Sequence, residues 1–208
     1  MSRRAPRGRS RTATSSSPPL TDWLHAVVAT RGMTALRDEA EAQAMLVDDA
    51  LRAVAVVSAF DGPIVDVGSG GGSPGIPLAL ALPDREVTLL EAERRKADFL
   101  ERWAPPNARV VWGRAEEQPV DEYGVAVAKA LAQPPVAAEL CLPLVRPGGA
   151  AVLWVGPSAD LSVVARVSSL LGGDVPEERD GLVVLRKLAP TPAGFPRRSG
   201  MPKKRPLA

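Results

Sequence analysis

Residues 64–76 read Ile-Val-Asp-Val-Gly-Ser-Gly-Gly-Gly-Ser-Pro-Gly-Ile: an apolar run that ends beside an acid, passes through five glycines and re-enters an apolar stretch. Glycine turns let backbone approach a ligand where a Cβ would block it, and a helix opening behind them aims unpaired N–H groups at the same point. A flexible linker does not sit between two apolar runs, so the segment predicts a strand–loop–helix nucleotide cradle. Residues 70–75 formally match G-x-G-x-x-G, which admits a dinucleotide. Three features oppose that reading. Asp66 stands beside the loop, where it favours a cationic aminosulfonium nucleoside over a pyrophosphate. Residues 112–117, Trp-Gly-Arg-Ala-Glu-Glu, form a second acidic turn, and little chain remains for a separate substrate domain. Glu91 lies 23 residues beyond Gly68, a spacing at which an acid accepts hydrogen bonds from ribose hydroxyls. Its alternative reading is a solvated carboxylate paired with Arg94 or Arg95.

Positioning these groups needs a sheet. Apolar runs at 64–67, 87–90, 108–112, 125–128 and 150–155 alternate with helical stretches at 76–82, 93–103, 135–144 and 159–171. That alternation specifies an α/β fold with a parallel sheet and helices on both faces. Residues 181–185 are expected to return antiparallel beside a sixth strand near 174–178, for seven strands in all. Upstream, Thr21 or Asp22 opens a short helix through Ala29 and Asp38 a longer one to about Ser58, together an N-terminal helical cap. The expected organisation is a disordered basic arm over 1–19, the helical cap over 20–60, the catalytic domain over 61–188 and a basic C-terminal strap over 189–208. In an open sheet the strand C-termini meet in one crevice, which gathers Asp66, Glu91, Ala115, Glu116 and Lys129 on one edge.

Composition narrows the partners. The 208 residues carry a net charge of +2, but residues 1–11 hold five Arg and residues 181–208 seven Lys or Arg, neither with an acid. The middle therefore carries 14 basic against 24 acidic groups, and basic ends on an acidic body suit a polyanion such as nucleic acid. One cysteine and one histidine leave neither a disulfide nor a metal cluster to expect, and no apolar run of about 18 residues or secretory leader is visible. The expectation is a cytoplasmic protein with no metal and no membrane association. Cys141, within Val-Ala-Ala-Glu-Leu-Cys-Leu, reads as core rather than as a nucleophile.

Residues 66–79, with their Pro-Gly-Ile-Pro continuation, together with Thr-Leu-Leu-Glu at 88–91, Gly-Arg-Ala-Glu-Glu at 113–117 and the ending from Phe195 to Leu207, resemble the RsmG (GidB) family. The resemblance implies a Rossmann-like class I methyltransferase fold using S-adenosylmethionine to methylate N7 of a guanine in 16S (small-subunit) ribosomal RNA, free or in the 30S particle. Carried over by position, Gly68 and Ser73 would line the methionine portion, Glu91 the ribose, and Ala115 with Glu116 the adenine, with Asp66 and Gly70 as further cofactor-site residues. Lys129 stands where the family usually has arginine at the cofactor and substrate crevice and is the candidate positioning residue for catalysis. Ser73 replaces a bulky apolar residue, and the family's His-Leu-x-Asp-Ser appears as Met45-Leu46-Val47-Asp48-Asp49.

Guanine N7 carries a free lone pair, so methylation there needs placement and electrostatics rather than a base. In agreement, the fourth strand runs into Ala128-Lys129-Ala130-Leu131, without the Asn/Asp-Pro-Pro-aromatic sequence used on exocyclic amines. Arg197, Arg198, Lys203, Lys204 and Arg205, spaced by Pro and Gly, are expected to track RNA phosphates as an extended strap. Three alternatives stand beside this reading: a small-molecule methyltransferase, a catalytically weak S-adenosylmethionine-binding protein associated with the ribosome, and a small NAD-dependent oxidoreductase.

Overall fold

The structure, a computed structural model, describes residues 20–208; the basic arm expected over 1–19 lies outside the described residues. The chain opens with α1 (Leu20–Ala29). Next comes α2 (Glu39–Ala42), where the Asp38 carboxylate accepts from the Glu41 N–H at 2.8 Å and so satisfies one of the unpaired donors of the first turn. The helix expected from Asp38 to Ser58 is not continuous. A π-helical stretch at Gln43–Asp48 interrupts it before α3 (Asp49–Leu51) and α4 (Val54–Ser58). Such an interruption shifts the helical register by one residue, and apolar spacing alone does not reveal it.

The sheet follows in the expected alternation. β1 (Ile64–Val67) leads to α5 (Gly75–Ala81), β2 (Val87–Glu91) to α6 (Arg94–Trp103), and β3 (Ala108–Trp112) to a 3-10 turn at Ala115–Glu117. β4 (Tyr123–Ala128) leads to α7 (Pro134–Cys141), and β5 (Val145–Trp154) to α8 (Leu161–Leu170). β6 (Glu177–Arg179) and β7 (Leu182–Arg186) close the sheet, and α9 (Met201–Lys204) ends the helices. The strand order is β3-β2-β1-β4-β5-β7-β6, with β1 to β5 parallel and β7 antiparallel to both neighbours. β5 starts five residues before the expected point because Val145 already pairs with Tyr123 across a register shift.

Side-chain alternation splits the core in two. Ile64, Leu89, Val127 and Val152 point to one face, packed with α1, α4, α5 and α6; Val65, Val67, Ala126 and Leu153 point to the other, under α7 and α8. Central strands covered on both faces read as unbroken apolar runs, which is why β1, β2 and β4 stand out in the sequence. The chain builds outward from β1 to β3, then returns to place β4 on the other side of β1. The reversal leaves a crevice between the β1 and β4 C-termini, where open α/β sheets bind ligands, and the glycine loop lies there. Among the described residues no helix is long and apolar enough to cross a membrane.

Candidate cofactor and substrate site

The glycine loop is held from three sides. The Trp23 indole N–H donates to the Gly71 carbonyl at 2.9 Å, so α1 clamps the loop from outside. The Gly68 N–H donates to Leu90 O at 2.8 Å, tying the loop to the end of β2. Glu91 supplies the third hold: Oε2 accepts the Gly70 N–H at 2.8 Å and Oε1 the Glu93 N–H at 2.7 Å. Glu91 is 8% exposed and pairs with neither Arg94 nor Arg95, so the solvated-carboxylate reading is set aside by its position. Each oxygen keeps a lone pair, and the side chain lines the cleft. Gly70 adopts φ 56°, and a Cβ added there meets nothing nearer than the Gly68 carbonyl at 3.8 Å; the loop backbone is thus open to the cleft at this point.

Asp66 is placed differently from expectation. It is 1% exposed beneath the loop, off the cleft wall, and its Oδ2 accepts the Gly75 N–H at 3.1 Å while Oδ1 has no partner. It therefore braces the first turn of α5 rather than facing a ligand. Burial pushes its carboxyl up to about 7, with the Glu91 charge adding to the rise and the Gly75 N–H opposing it. A folded-state value above the unfolded one means that the native protein holds a proton the unfolded chain has released. The resulting stabilisation is full below about pH 4 and is lost as pH rises through about 7. Urea unfolding should show a fall on the order of 4 kcal/mol across that window, and Asp66→Asn, which cannot ionise, should remove it from the profile. Parallel profiles for the two proteins would contradict the assignment.

The cleft has a volume of about 430 Å³, within the roughly 300–1,000 Å³ typical of small-molecule sites. Gly68, Gly70, Ser73, Glu91, Ala115, Glu116 and Lys129 all line it, so seven of the eight expected cofactor-site residues converge. Ser73 donates its hydroxyl to Leu46 O at 2.8 Å. Lys129, just past β4, turns to Asp49 Oδ2 at 2.6 Å and to the Met45 carbonyl. Burial works against the Asp49 charge, but hydrogen bonds from Lys129 and Arg52 outweigh it and hold its carboxyl below the usual range. Burial pushes the Cys141 thiol upward, and the side chain is wholly enclosed, as expected of a core cysteine.

Position alone did not reveal the C-terminal wall. Glu116 Oε1 accepts the Gly200 N–H at 2.8 Å, Glu117 accepts from the Ser199 hydroxyl at 2.6 Å, and Gly200 and Lys203 reach the cleft. Arg197 lays one guanidinium edge on Glu139, donating from Nε to Oε1 at 2.6 Å and from Nη2 to Oε2 at 2.7 Å. Its fork is spent on Glu139, whereas Arg198, Lys203, Lys204 and Arg205 are exposed. The expected extended strap is in part the short helix α9, which Pro202 permits because a first-turn proline forfeits no helical hydrogen bond. Trp23, Val27, Met33 and Asp49 also enter or brace the site. They come from the N-terminal helices and, for Met33, the turn after α1, and no local spacing links them to residues 68–73. Among the described residues no group of three or more His, Cys, Asp or Glu is placed to hold a metal.

The fold is shared with the antibiotic-resistance methyltransferase Kmr (16% identity, 67% of this chain and 91% of that one, TM-score 0.50) and with the O-methyltransferase NcsB1 from neocarzinostatin biosynthesis, solved with S-adenosylmethionine (20% identity, 64% and 52%, TM-score 0.50). Ribosomal RNA small subunit methyltransferase G of Pelotomaculum thermopropionicum is 37% identical over 197 residues, 84% of this chain and 82% of that protein. That of Rubrobacter xylanophilus is 41% identical over 171 residues, 70% and 65%. The model of the family GidB, rRNA small subunit methyltransferase G, matches residues 19–169, and the chain belongs to that family.

Proposed function

We propose that this protein methylates N7 of a guanine in small-subunit ribosomal RNA, using S-adenosylmethionine. The observation that carries the reading is the loop bound to Glu91: a glycine backbone open to the cleft beside a carboxylate that lines the same cleft and keeps a spare lone pair on each oxygen. The residues fit that nucleoside. Glu91 would take the ribose hydroxyls, Ala115 and Glu116 the adenine end, and Gly68, Gly70 and Ser73 the amino acid end. When bound, the cofactor supplies an electrophilic methyl group on a sulfonium.

The protein's contribution is placement. Among the described residues lining the cleft there is no histidine, and Glu91 and Glu116 already accept backbone N–H groups. A site without a free base suits a nucleophile that carries its own lone pair, as guanine N7 does, better than an exocyclic amine that must lose a proton. Trp23, Val27, Met33 and Leu46 wall the cleft from the α1 side and exclude water around the reacting centre. The exposed cations Arg198, Lys203, Lys204 and Arg205, of which Lys203 lines the cleft, hold RNA phosphates; Arg197 acts from within by fixing the segment. The substrate is the small-subunit RNA, free or within the 30S particle, which places the protein in the cytoplasm.

The test is transfer of tritium from labelled S-adenosylmethionine to small-subunit RNA and 30S particles, with the product mapped by mass spectrometry. Label at guanine N7 is expected; nucleoside binding without any transfer to RNA would contradict the reading. Replacing Lys203, Lys204 and Arg205 together by alanine should weaken RNA binding and make the slope of log K against log salt shallower by about 2–3, since each phosphate contact contributes roughly 0.7–0.9. An unchanged slope would remove these residues from the RNA interface.

A further inference from the structure

The π-helical stretch Gln43–Asp48 presents two consecutive carbonyls to the cleft residues that face it. Leu46 O accepts the Ser73 hydroxyl, and Met45 O accepts from the Lys129 ammonium. One residue beyond that stretch, Asp49 places Oδ2 at 2.6 Å from Lys129 Nζ, while Arg52 Nε holds Oδ1 at 3.0 Å from the solvent side. The Asp49 carboxylate is therefore fixed in orientation, and the ammonium is fixed by the carboxylate. The Lys129 and Asp49 side chains are 13% and 20% exposed, so this is a sheltered pair rather than a surface contact. An ammonium has three N–H donors. Asp49 and Met45 take two, which leaves one N–H on a residue that lines the cleft.

We infer that Asp49 is a positioning residue for Lys129, and that the Lys129–Asp49 pair donates one hydrogen bond to O6 of the target guanine while keeping the local charge compensated. The inference rests on the guanine-N7 reading and specifies how the base is recognised. Guanine presents O6 beside N7, whereas adenine presents an amino group there, which an ammonium cannot donate to; a single N–H on O6 selects guanine and leaves the N7 lone pair free. Compensation follows from the charge movement. As the methyl carbon's bond to sulfur breaks and its bond to N7 forms, the positive charge passes from sulfur to the purine, and no proton moves. A lone ammonium beside O6 would repel that charge, while Asp49 at 2.6 Å offsets most of its field and leaves the hydrogen bond.

Single-turnover and steady-state methylation of small-subunit RNA by the full chain test the pair. Lys129→Ala is expected to lower kcat about 100-fold, and Asp49→Asn, which keeps an acceptor but removes the charge, about tenfold, each with KM for RNA and affinity for S-adenosylhomocysteine within about threefold of wild type. In the Lys129→Ala background, Asp49→Asn should add less than twofold, because the carboxylate acts through the ammonium. Once the methylated position is mapped, an RNA carrying 2-aminopurine there keeps N7 but lacks O6. Wild type should slow on it to the level of Lys129→Ala on guanine, and Lys129→Ala should not distinguish the two RNAs. Losses confined to RNA KM, independent effects of the two substitutions, or wild-type indifference to 2-aminopurine each overturn the inference. If wild type transfers nothing to RNA, the guanine-N7 reading itself fails, and the pair's assignment with it.

Discussion

Replacing Glu91 by alanine should weaken binding of S-adenosylhomocysteine about 100-fold. The carboxylate has two jobs that one substitution removes together: it ties the glycine loop through Gly70 and the start of α6 through Glu93, and its free lone pairs would receive the ribose hydroxyls. Hydrogen bonds to a charged group contribute about 1.5–3 kcal/mol each, so two ribose contacts amount to roughly 3 kcal/mol or more, and about 1.4 kcal/mol corresponds to tenfold in affinity. Glutamine should not rescue. Its amide would turn an N–H toward either the Gly70 or the Glu93 N–H, so one of the two backbone donors loses its acceptor. Calorimetric titration of both variants measures the effect, and affinities within threefold of wild type would show that Glu91 is a loop brace with no share in the ligand.

The second large effect concerns Arg197. Its partner Glu139 has a side chain only 2% exposed, within α7, and accepts two hydrogen bonds from one edge of the guanidinium. Arg197→Ala leaves that carboxylate buried without a counter-charge, a change that typically costs about 3–5 kcal/mol. Arg197→Lys should recover only part, because a point charge does not reproduce the bidentate fork. Arg197→Ala with Glu139→Leu removes both charges and should regain most of the stability. Urea unfolding of the four proteins decides the matter, and a single Arg197→Ala variant within about 1 kcal/mol of wild type would show that the pair holds nothing. The consequence reaches the cleft: release of Arg197 frees the segment that brings Gly200 to Glu116 and Lys203 to the cleft wall.

The Arg197–Glu139 pair also shows why the sequence misleads at this point. Seven basic residues between 181 and 208 look alike in composition, yet two of them are internal counter-ions, Lys187 to Asp121 and Arg197 to Glu139. The available signal was on the other partner, a lone acid within Val136-Ala137-Ala138-Glu139-Leu140-Cys141, since a charge in an apolar helix needs a partner. Asp66 was read as facing a ligand because it precedes the glycines, but alternation along β1 turns it under the loop, with Ile64, while Val65 and Val67 take the other face. Glu91 was legible because spacing along two adjacent parallel strands converts directly into proximity at their ends. β1, β2 and β4 were legible for a related reason, as strands covered on both faces have no polar side to interrupt them. The contacts of Trp23 and Asp49 with the cleft were not, because they depend on how the N-terminal helices pack against the loop and on a π turn that leaves no periodic trace.

The decisive measurement is a crystal structure of the protein with S-adenosylhomocysteine. Both ribose hydroxyls are expected on the Glu91 carboxylate, the adenine against Ala115 and Glu116, and the amino acid end over Gly68 and Gly70, with Asp66 still beneath the loop. A nucleoside seated away from Glu91, or a pyrophosphate compound taking the glycine loop in its place, would contradict it.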